Sequence, residues 1–151
     1  MYIVEGEYTI EELASIVREH SVKYFGRKIV SPEVATEYLQ SVIMDTSQES
    51  FGILYLDNAH HIIDFRIEFT GTIDMCPVYP REIIKQILAL DASAIILAHN
   101  HPAGSTNISS SDIEITKKIK DACEVIDCRL IDHIINANAH SHVSLQEHGY
   151  V

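Results

Sequence analysis

Two short runs of almost wholly apolar residues, Phe51–Leu56 and Ala94–Ala98, stand out along the chain. Runs of this length without polar alternation are typical of strands that are covered on both faces. A partner strand is predicted over Ile62–Phe69, joined to the first run by a turn, and two shorter strands are predicted over 130–135 and 142–145. Because apolar stripes at helical spacing lie between the strands, the pattern predicts an α/β fold with the two apolar runs at the centre of its sheet.

The first predicted helix runs from Thr9 to Phe25, and Thr9 and Glu12 can form a capping box at its start. Residues 1–30 are therefore interpreted as a helical preface to one domain over 31–151. Three further helices are predicted in that domain, each from an apolar stripe at helical spacing. The stripes are Val34, Tyr38, Leu39, Val42 and Ile43; Ile83, Ile84, Ile87 and Leu88; and Ile115, Ile119, Ala122 and Ile126.

Length and charge narrow the class of protein. The chain has 151 residues, 46% of them hydrophobic, which suits one domain with a substantial core and leaves little room for a two-domain enzyme. Its 11 Lys and Arg residues stand against 22 Asp and Glu residues, a formal net charge of -11. Such a surface repels phosphate backbones, and the one basic cluster is the short group Lys117, Lys118 and Lys120. Direct binding of nucleic acid is therefore not expected.

The cysteines and the hydropathy pattern indicate a cytoplasmic protein. Cys76, Cys123 and Cys128 are odd in number and form no C-x-x-C pair, so neither a disulfide framework nor a thiolate zinc site is predicted. Cys76 could face a cleft, although a buried core thiol is favoured. No apolar window approaches the length of a membrane span, and the first residues lack the profile of a signal peptide.

The strongest chemical pattern follows the second apolar run. His99 and His101 lie one residue apart, and Ser109 and Asp112 come later, giving H-x-H-x7-S-x2-D. Two histidines at this spacing on an extended chain project to the same side, and Asp112 can complete a three-ligand zinc site with a fourth position open to water. The H-x-H pair alone is weak evidence in a chain with nine histidines. The second such pair, His140 and His142, lacks a following carboxylate at suitable spacing and is interpreted as an exposed edge-strand feature.

Two assignments stay open at this level. Ser109 and Asp112 also match a helix capping box, and a residue can serve as both cap and ligand. A zinc-bound water needs a base, for which spacing alone cannot choose among the available carboxylates. The candidates are Glu33, Glu37, Glu49, Glu68 and Glu82. Glu49 is attractive because it directly precedes the strand Phe51–Leu56, which is expected beside the strand that leads to His99.

The full arrangement of Glu49, His99, His101, Ser109 and Asp112 resembles the JAMM metal-binding motif of the JAB/MPN metalloprotease superfamily. The flanking sequence resembles the RadC-type branch, over most of the chain from about residue 31 to residue 149. The segments that carry this resemblance are Phe51–Asp57, Thr70–Thr72, Tyr79–Glu82, Ala94–Pro102 and Leu130–His133.

The resemblance implies a JAB/MPN, cytidine-deaminase-like architecture: a central mixed sheet flanked by helices. It also implies that His99, His101 and Asp112 bind zinc, that Glu49 is the general acid/base and that Ser109 steadies the oxyanion. His133 lies in a family-like segment and is interpreted as a packing or second-layer residue. The chain departs from longer family members, which carry an N-terminal helix-hairpin-helix DNA-binding region.

These features predict a zinc-dependent hydrolase of amide bonds, either peptide or isopeptide, that acts on a peptide or protein substrate. The alternative is a non-catalytic module of the same fold that binds protein or DNA partners in a DNA-repair setting. A third reading, a nucleobase deaminase, requires H-x-E and P-C-x-x-C, and neither occurs.

Overall fold

The structure is a computed structural model that describes residues 8–9, 12, 26–42, 48–71, 78–138 and 141–151. Its regular elements within these residues are three helices and five strands. In chain order they are α1 (Pro32–Val42), β1 (Ser50–Leu56), β2 (Ile62–Thr70), α2 (Pro80–Leu90), β3 (Ala94–Asn100), α3 (Ser110–Glu124), β4 (Arg129–Asn138) and β5 (Ser141–Ser144).

The five strands form one mixed sheet in the order β2-β1-β3-β4-β5. β1 pairs antiparallel with both β2 and β3, β3 pairs parallel with β4, and β4 pairs antiparallel with β5. Every residue of β1 and β3 is buried. The predicted α/β class and the central position of the two apolar runs are therefore confirmed.

Helices cover the two faces of the sheet. Alternate residues of β1 and β3, such as Leu54 and Ile96, pack with Tyr38 and Leu39 of α1. The intervening residues pack with α2 and α3 on the opposite face. This second core includes Ile53, Tyr55, Ile95, Leu97, Ile83, Ile87, Ile115 and Ile119. Because successive side chains of a strand point to opposite faces, a wholly apolar strand needs a helical layer on each side.

The stripe predicted for α2 is wrong at one position. Ile83 and Ile87 are buried as expected and Ile84 packs partly against the core, but Leu88 is 64% exposed. Leu88 lies one residue after Ile87, and a step of one residue turns the helix by about 100°, which carries the side chain away from the sheet. The stripe predicted for α3 included Ile126, but α3 ends at Glu124 and Ile126 lies beyond it. Within the last turn of α3 the buried residue is Cys123.

β3 is longer than the apolar run predicts. The strand was expected to stop at His99, yet it continues through Asn100. His99 is paired on both sides, with Phe51 of β1 and with Ile135 of β4. The backbone ladder therefore extends beyond the apolar side chains, and it places a histidine inside the sheet.

Several predictions concern segments of which the structure describes few residues or none. The Thr9 N–H donates to Glu12 Oε2 at 2.7 Å and the Glu12 N–H donates to Thr9 Oγ1 at 3.2 Å, so the predicted capping box is present. The rest of the helix predicted up to Phe25 lies outside the described residues, as do Cys76, Ile43 and His140. His142 is exposed on the edge strand β5, as expected. Among the described helices, none combines the length and apolar character that crossing a membrane requires.

Gly52 allows β1 and β2 to pack closely. The Phe65 side chain of β2 lies over Gly52, where a β-carbon would come within 2.6 Å of the ring. The same ring packs edge-on against Tyr38 of α1, with centroids 6.3 Å apart. An aromatic side chain that covers a strand glycine restores packing that the missing side chain cannot supply. This contact joins α1 to the two strands β1 and β2, and Glu49 directly precedes β1.

Candidate metal centre

The candidate site lies where β1 begins, β3 ends and α3 begins. The antiparallel pairing of β1 with β3 sets Phe51 opposite His99, so the residues before β1 lie beside the residues at the end of β3. Asp112 belongs to the first turn of α3 and is 1% exposed. Four side chains from three separate segments of the chain therefore meet at one end of the sheet: Glu49, His99, His101 and Asp112.

Glu49, His99 and His101 form a group that could hold a metal ion. One donor atom from each residue lies within 4.8 Å of the others, and His99 Nε2 contacts Glu49 Oε1 directly. The His99 side chain is 1% exposed, whereas those of Glu49 and His101 are 20% and 16% exposed. The group is therefore fixed in the core on one side and open to solvent on the other.

Asp112 lies against both histidines. Its Oδ1 atom is 3.2 Å from His99 Nδ1, and its Oδ2 atom is 3.9 Å from His101 Nε2. The buried Oδ1 and His99 Nδ1 both lack a hydrogen bond of good geometry among the described residues. Burial raises the pKa of Asp112, but the adjacent His99 ring and hydrogen bonding from Ser109 outweigh it and hold the pKa below its ordinary value. Asp112 is therefore a buried carboxylate with spare capacity to bind a cation.

Ser109 and Asp112 also form the capping box that the sequence allowed. The Asp112 N–H donates to Ser109 Oγ at 3.0 Å, and the Ser109 N–H donates to Asp112 Oδ2 at 2.8 Å. This pair begins α3 and leaves the hydroxyl hydrogen of Ser109 free of the capping bonds. The cap fixes the Asp112 side chain in one orientation, so the capping and ligand interpretations are compatible.

His101 is held in one tautomer by its own loop. Its Nδ1 atom lies 2.9 Å from the carbonyl oxygen of Ser105, which can only accept a hydrogen bond. Nδ1 therefore carries the hydrogen, and Nε2 keeps its lone pair. The loop turns back at Gly104, whose φ of +77° favours glycine and whose N–H donates to the His101 carbonyl oxygen. Such a carbonyl partner is the usual way in which a protein orients a metal-binding imidazole.

His133 lies behind the group and is completely buried. Its ring is 6.2 Å from the ring of His99 and edge-on to Phe51. The Thr116 hydroxyl donates to the Asp112 carbonyl oxygen at 2.5 Å and lies 2.7 Å from His133 Nδ1, so Nδ1–H is the donor in the second bond. Burial, followed by the nearby His99, lowers the pKa of His133 well below its ordinary value. His133 therefore packs as a neutral imidazole, in agreement with its interpretation from sequence.

The other carboxylates that were candidates for the base lie elsewhere. Glu68 accepts hydrogen bonds from Tyr55 and Gln86, and Glu82 pairs with Lys85 at 3.3 Å. The remaining two, Glu33 and Glu37, belong to α1 and interact with Ser31 and Arg27 respectively. The structure thus brings Glu49, alone among the five candidates, to the histidines.

Sequence reasoning missed two residues that support this site, Asn100 and Thr116. Asn100 lies between the two histidines of the motif, and its side chain hydrogen-bonds to the backbone on either side of Glu49. Thr116 is one helical turn after Asp112. The position of Asn100 inside H-x-H was a visible signal, whereas Thr116 had no signal apart from its spacing of four residues.

The sequence is similar to those of known proteins. The sequence profile of the RadC-like JAB domain matches residues 29–150. Similar proteins include a UPF0758 protein of Vibrio cholerae, 39% identical over 142 residues, which make up 94% of this chain and 87% of that protein. A UPF0758 protein of Aliivibrio fischeri is 40% identical over 97% of this chain and 67% of its own length, and one of Vibrio parahaemolyticus is 43% identical over 83% and 56%. This chain spans only part of each of these relatives. Because the profile covers most of its residues, the chain belongs to the RadC-like JAB domain family.

Proposed function

We propose that this chain is a zinc-dependent hydrolase of peptide or isopeptide amide bonds. The observation that carries the proposal is the contact between Glu49 and His99, which brings a partly exposed carboxylate from the residue before β1 into the His99 and His101 donor group. A buried structural cluster would not need a solvent-facing carboxylate at this position. A catalytic site does need one, because a proton has to move between water and the substrate.

The donor set fits zinc. Two imidazoles and one carboxylate, with a further position left to solvent, form the ligand set of several catalytic zinc sites. We assign His99, His101 and Asp112 as the residues that would hold the ion, since Asp112 is fixed by its cap and buried against both rings. When bound, zinc supplies a Lewis acid and a water of lowered pKa.

Glu49 and Ser109 carry the remaining steps of the proposal. Glu49 takes a proton from the attacking water and returns it to the nitrogen of the departing amine, a role that its partial exposure permits. The Ser109 hydroxyl donates a hydrogen bond to the carbonyl oxygen as negative charge develops there. Asp112 keeps Ser109 in place through the capping box, so the same pair of hydrogen bonds orients a ligand and an oxyanion donor.

The substrate and setting follow from the same features. An amide carbonyl in an extended protein or peptide segment is the chemistry that this site suits, and a net charge of -11 does not favour a nucleic-acid substrate or direct role in DNA repair. Cys123 and Cys128 are buried free thiols, which supports a reducing compartment such as the cytoplasm.

The proposal is tested by metal analysis combined with Glu49→Gln. The purified chain is expected to retain zinc at near-stoichiometric level and to cleave members of a panel of peptide and isopeptide substrates. Glu49→Gln keeps the metal and loses about 10²- to 10⁴-fold in kcat, because it removes the proton acceptor. Glu82→Gln is the matched control, since Glu82 is an exposed carboxylate paired with Lys85 away from the site.

Two results would overturn this assignment. Full activity in Glu49→Gln would remove Glu49 from the reaction. Absence of any bound transition metal by elemental analysis would leave the alternative function, a non-catalytic module of the same fold that binds protein or DNA partners.

A further inference from the structure

The side chain of Asn100 brackets Glu49 from both sides. Its Oδ1 atom accepts the N–H of Ser50 at 2.5 Å, and its Nδ2 atom donates to the carbonyl oxygen of Gln48 at 2.9 Å. Asn100 is 5% exposed and Ser50 is 8% exposed, so the bond between them forms where water competes little. One amide group therefore ties down the residues immediately before and after Glu49.

These bonds continue the sheet where its backbone pairing ends. The pairing of β1 with β3 runs as far as Phe51 opposite His99. Beyond that point the Asn100 side chain supplies the acceptor and the donor that a neighbouring strand would otherwise provide. On the other side, the Glu49 carbonyl oxygen accepts the N–H of Gly71 at 2.7 Å. The backbone at Glu49 is thus held from both directions.

Asn100 also lies between the two histidines of the donor group. The segment of β3 that carries His99 therefore carries the group that anchors Glu49, and any movement of one is transmitted to the other. We propose that Asn100 is a positioning residue that sets the location of the Glu49 carboxylate relative to His99 and His101. The inference rests on the proposed function for the role of Glu49, but the anchoring of the backbone can be measured without it.

The chemistry requires an amide at this position. Ser50 presents an N–H and Gln48 presents a carbonyl, so the bridging side chain must accept at one atom and donate at another. Aspartate has the same size but offers two acceptor oxygens. It would keep the bond to the Ser50 N–H, but its second oxygen would face the carbonyl oxygen of Gln48 and repel it. Alanine removes both bonds.

Hydrogen exchange in the metal-free protein tests the anchor directly. Asn100→Ala is expected to speed exchange of the Ser50 amide by about tenfold relative to wild type, since the amide loses its buried acceptor. Asn100→Asp keeps that acceptor and is expected to keep the protection. Asn136→Ala is the matched control: Asn136 is the register partner of Asn100 on β4, is buried, and neither atom of its amide has a hydrogen-bond partner among the described residues. Unchanged exchange of Ser50 in Asn100→Ala would overturn the anchor.

A double-mutant cycle on a cleaved amide substrate tests the link to Glu49. Both Asn100→Ala and Asn100→Asp are expected to lower kcat by about 10- to 100-fold, with KM and zinc content unchanged, as for other residues that orient a catalytic group. In the Glu49→Gln background the same substitutions are expected to add no further loss, because Asn100 acts through a carboxylate that is no longer there. A further loss of equal size in that background would overturn the positioning role. If wild type cleaves nothing, the proposed function fails, while the exchange experiment still decides whether Asn100 anchors the backbone at Glu49.

Discussion

Replacing Gly52 with alanine would put a methyl group into space that Phe65 occupies. The added β-carbon would lie 2.6 Å and 2.9 Å from two atoms of the Phe65 ring and 3.0 Å from the carbonyl oxygen of Arg66. Real β-carbons do not approach other heavy atoms so closely. Either the ring or the backbone of β2 therefore has to move.

Neither movement is easy. The Phe65 ring is packed edge-on against Tyr38, which is 1% exposed, and Arg66 belongs to the backbone pairing of β2 with β1. Inserting a methyl group into well-packed surroundings costs about 1–3 kcal/mol. Alanine recovers about 0.4–1 kcal/mol by restricting the unfolded chain. Because the methyl group meets backbone as well as the ring, its cost lies in the upper part of that range, and we expect a net loss of about 1–2 kcal/mol in unfolding free energy.

Thermal unfolding followed by circular dichroism measures this loss. For a domain of this size each kcal/mol lowers Tm by about 2–4 °C, so the expected decrease is about 2–8 °C. Phe65→Leu provides the second arm, since a smaller side chain leaves room for the methyl group. Gly52→Ala should cost less in the Phe65→Leu background than in wild type. An unchanged Tm in Gly52→Ala, or strictly additive losses in the double variant, would refute this account of the β1–β2 contact.

Two further predictions concern the residues behind the metal centre. Thr116→Val leaves His133 Nδ1 buried without an acceptor and should lower the unfolding free energy in urea by about 1–3 kcal/mol, whereas Thr116→Ser should stay near wild type; equal losses in both variants would contradict the hydrogen bond. The pKa of His133 is lowered in the folded protein, whereas in the unfolded chain it has the ordinary value of 6.5. Below pH 6.5 the unfolded chain therefore binds a proton that the folded chain does not, so the stabilising contribution of His133 is complete above pH 6.5 and is lost as the pH falls below it. The metal-free protein should therefore lose stability as the pH falls from about 7 to about 5. His133→Asn should make stability less dependent on pH in this interval, and parallel pH profiles for the two proteins would contradict the prediction.

Local sequence patterns were sufficient for most of the elements. The apolar runs at Phe51–Leu56 and Ala94–Ala98 are strands because residues without polar alternation can only be buried on both faces, and the structure buries both runs completely. The capping box at Ser109 and Asp112 is equally local, since its two hydrogen bonds join residues three apart. Where a prediction depended on what lay opposite, as at Leu88, periodicity alone assigned the wrong side.

The candidate site was likewise predictable only in part from local sequence. Its histidines and Asp112 could be identified from the spacing of residues within one short stretch of chain, because a strand end followed by a helix start brings them together by local geometry. Glu49 is 50 residues from His99: spacing left five carboxylates open, the family resemblance singled out Glu49, and the antiparallel pairing of β1 with β3 brings it to His99. The amide of Asn100 and the hydroxyl of Thr116 acquire their partners in the same way. The sequence alone therefore determined the elements and the kind of ligand, whereas the tertiary structure decided which distant groups meet them, because a strand's pattern encodes its burial but not its neighbour.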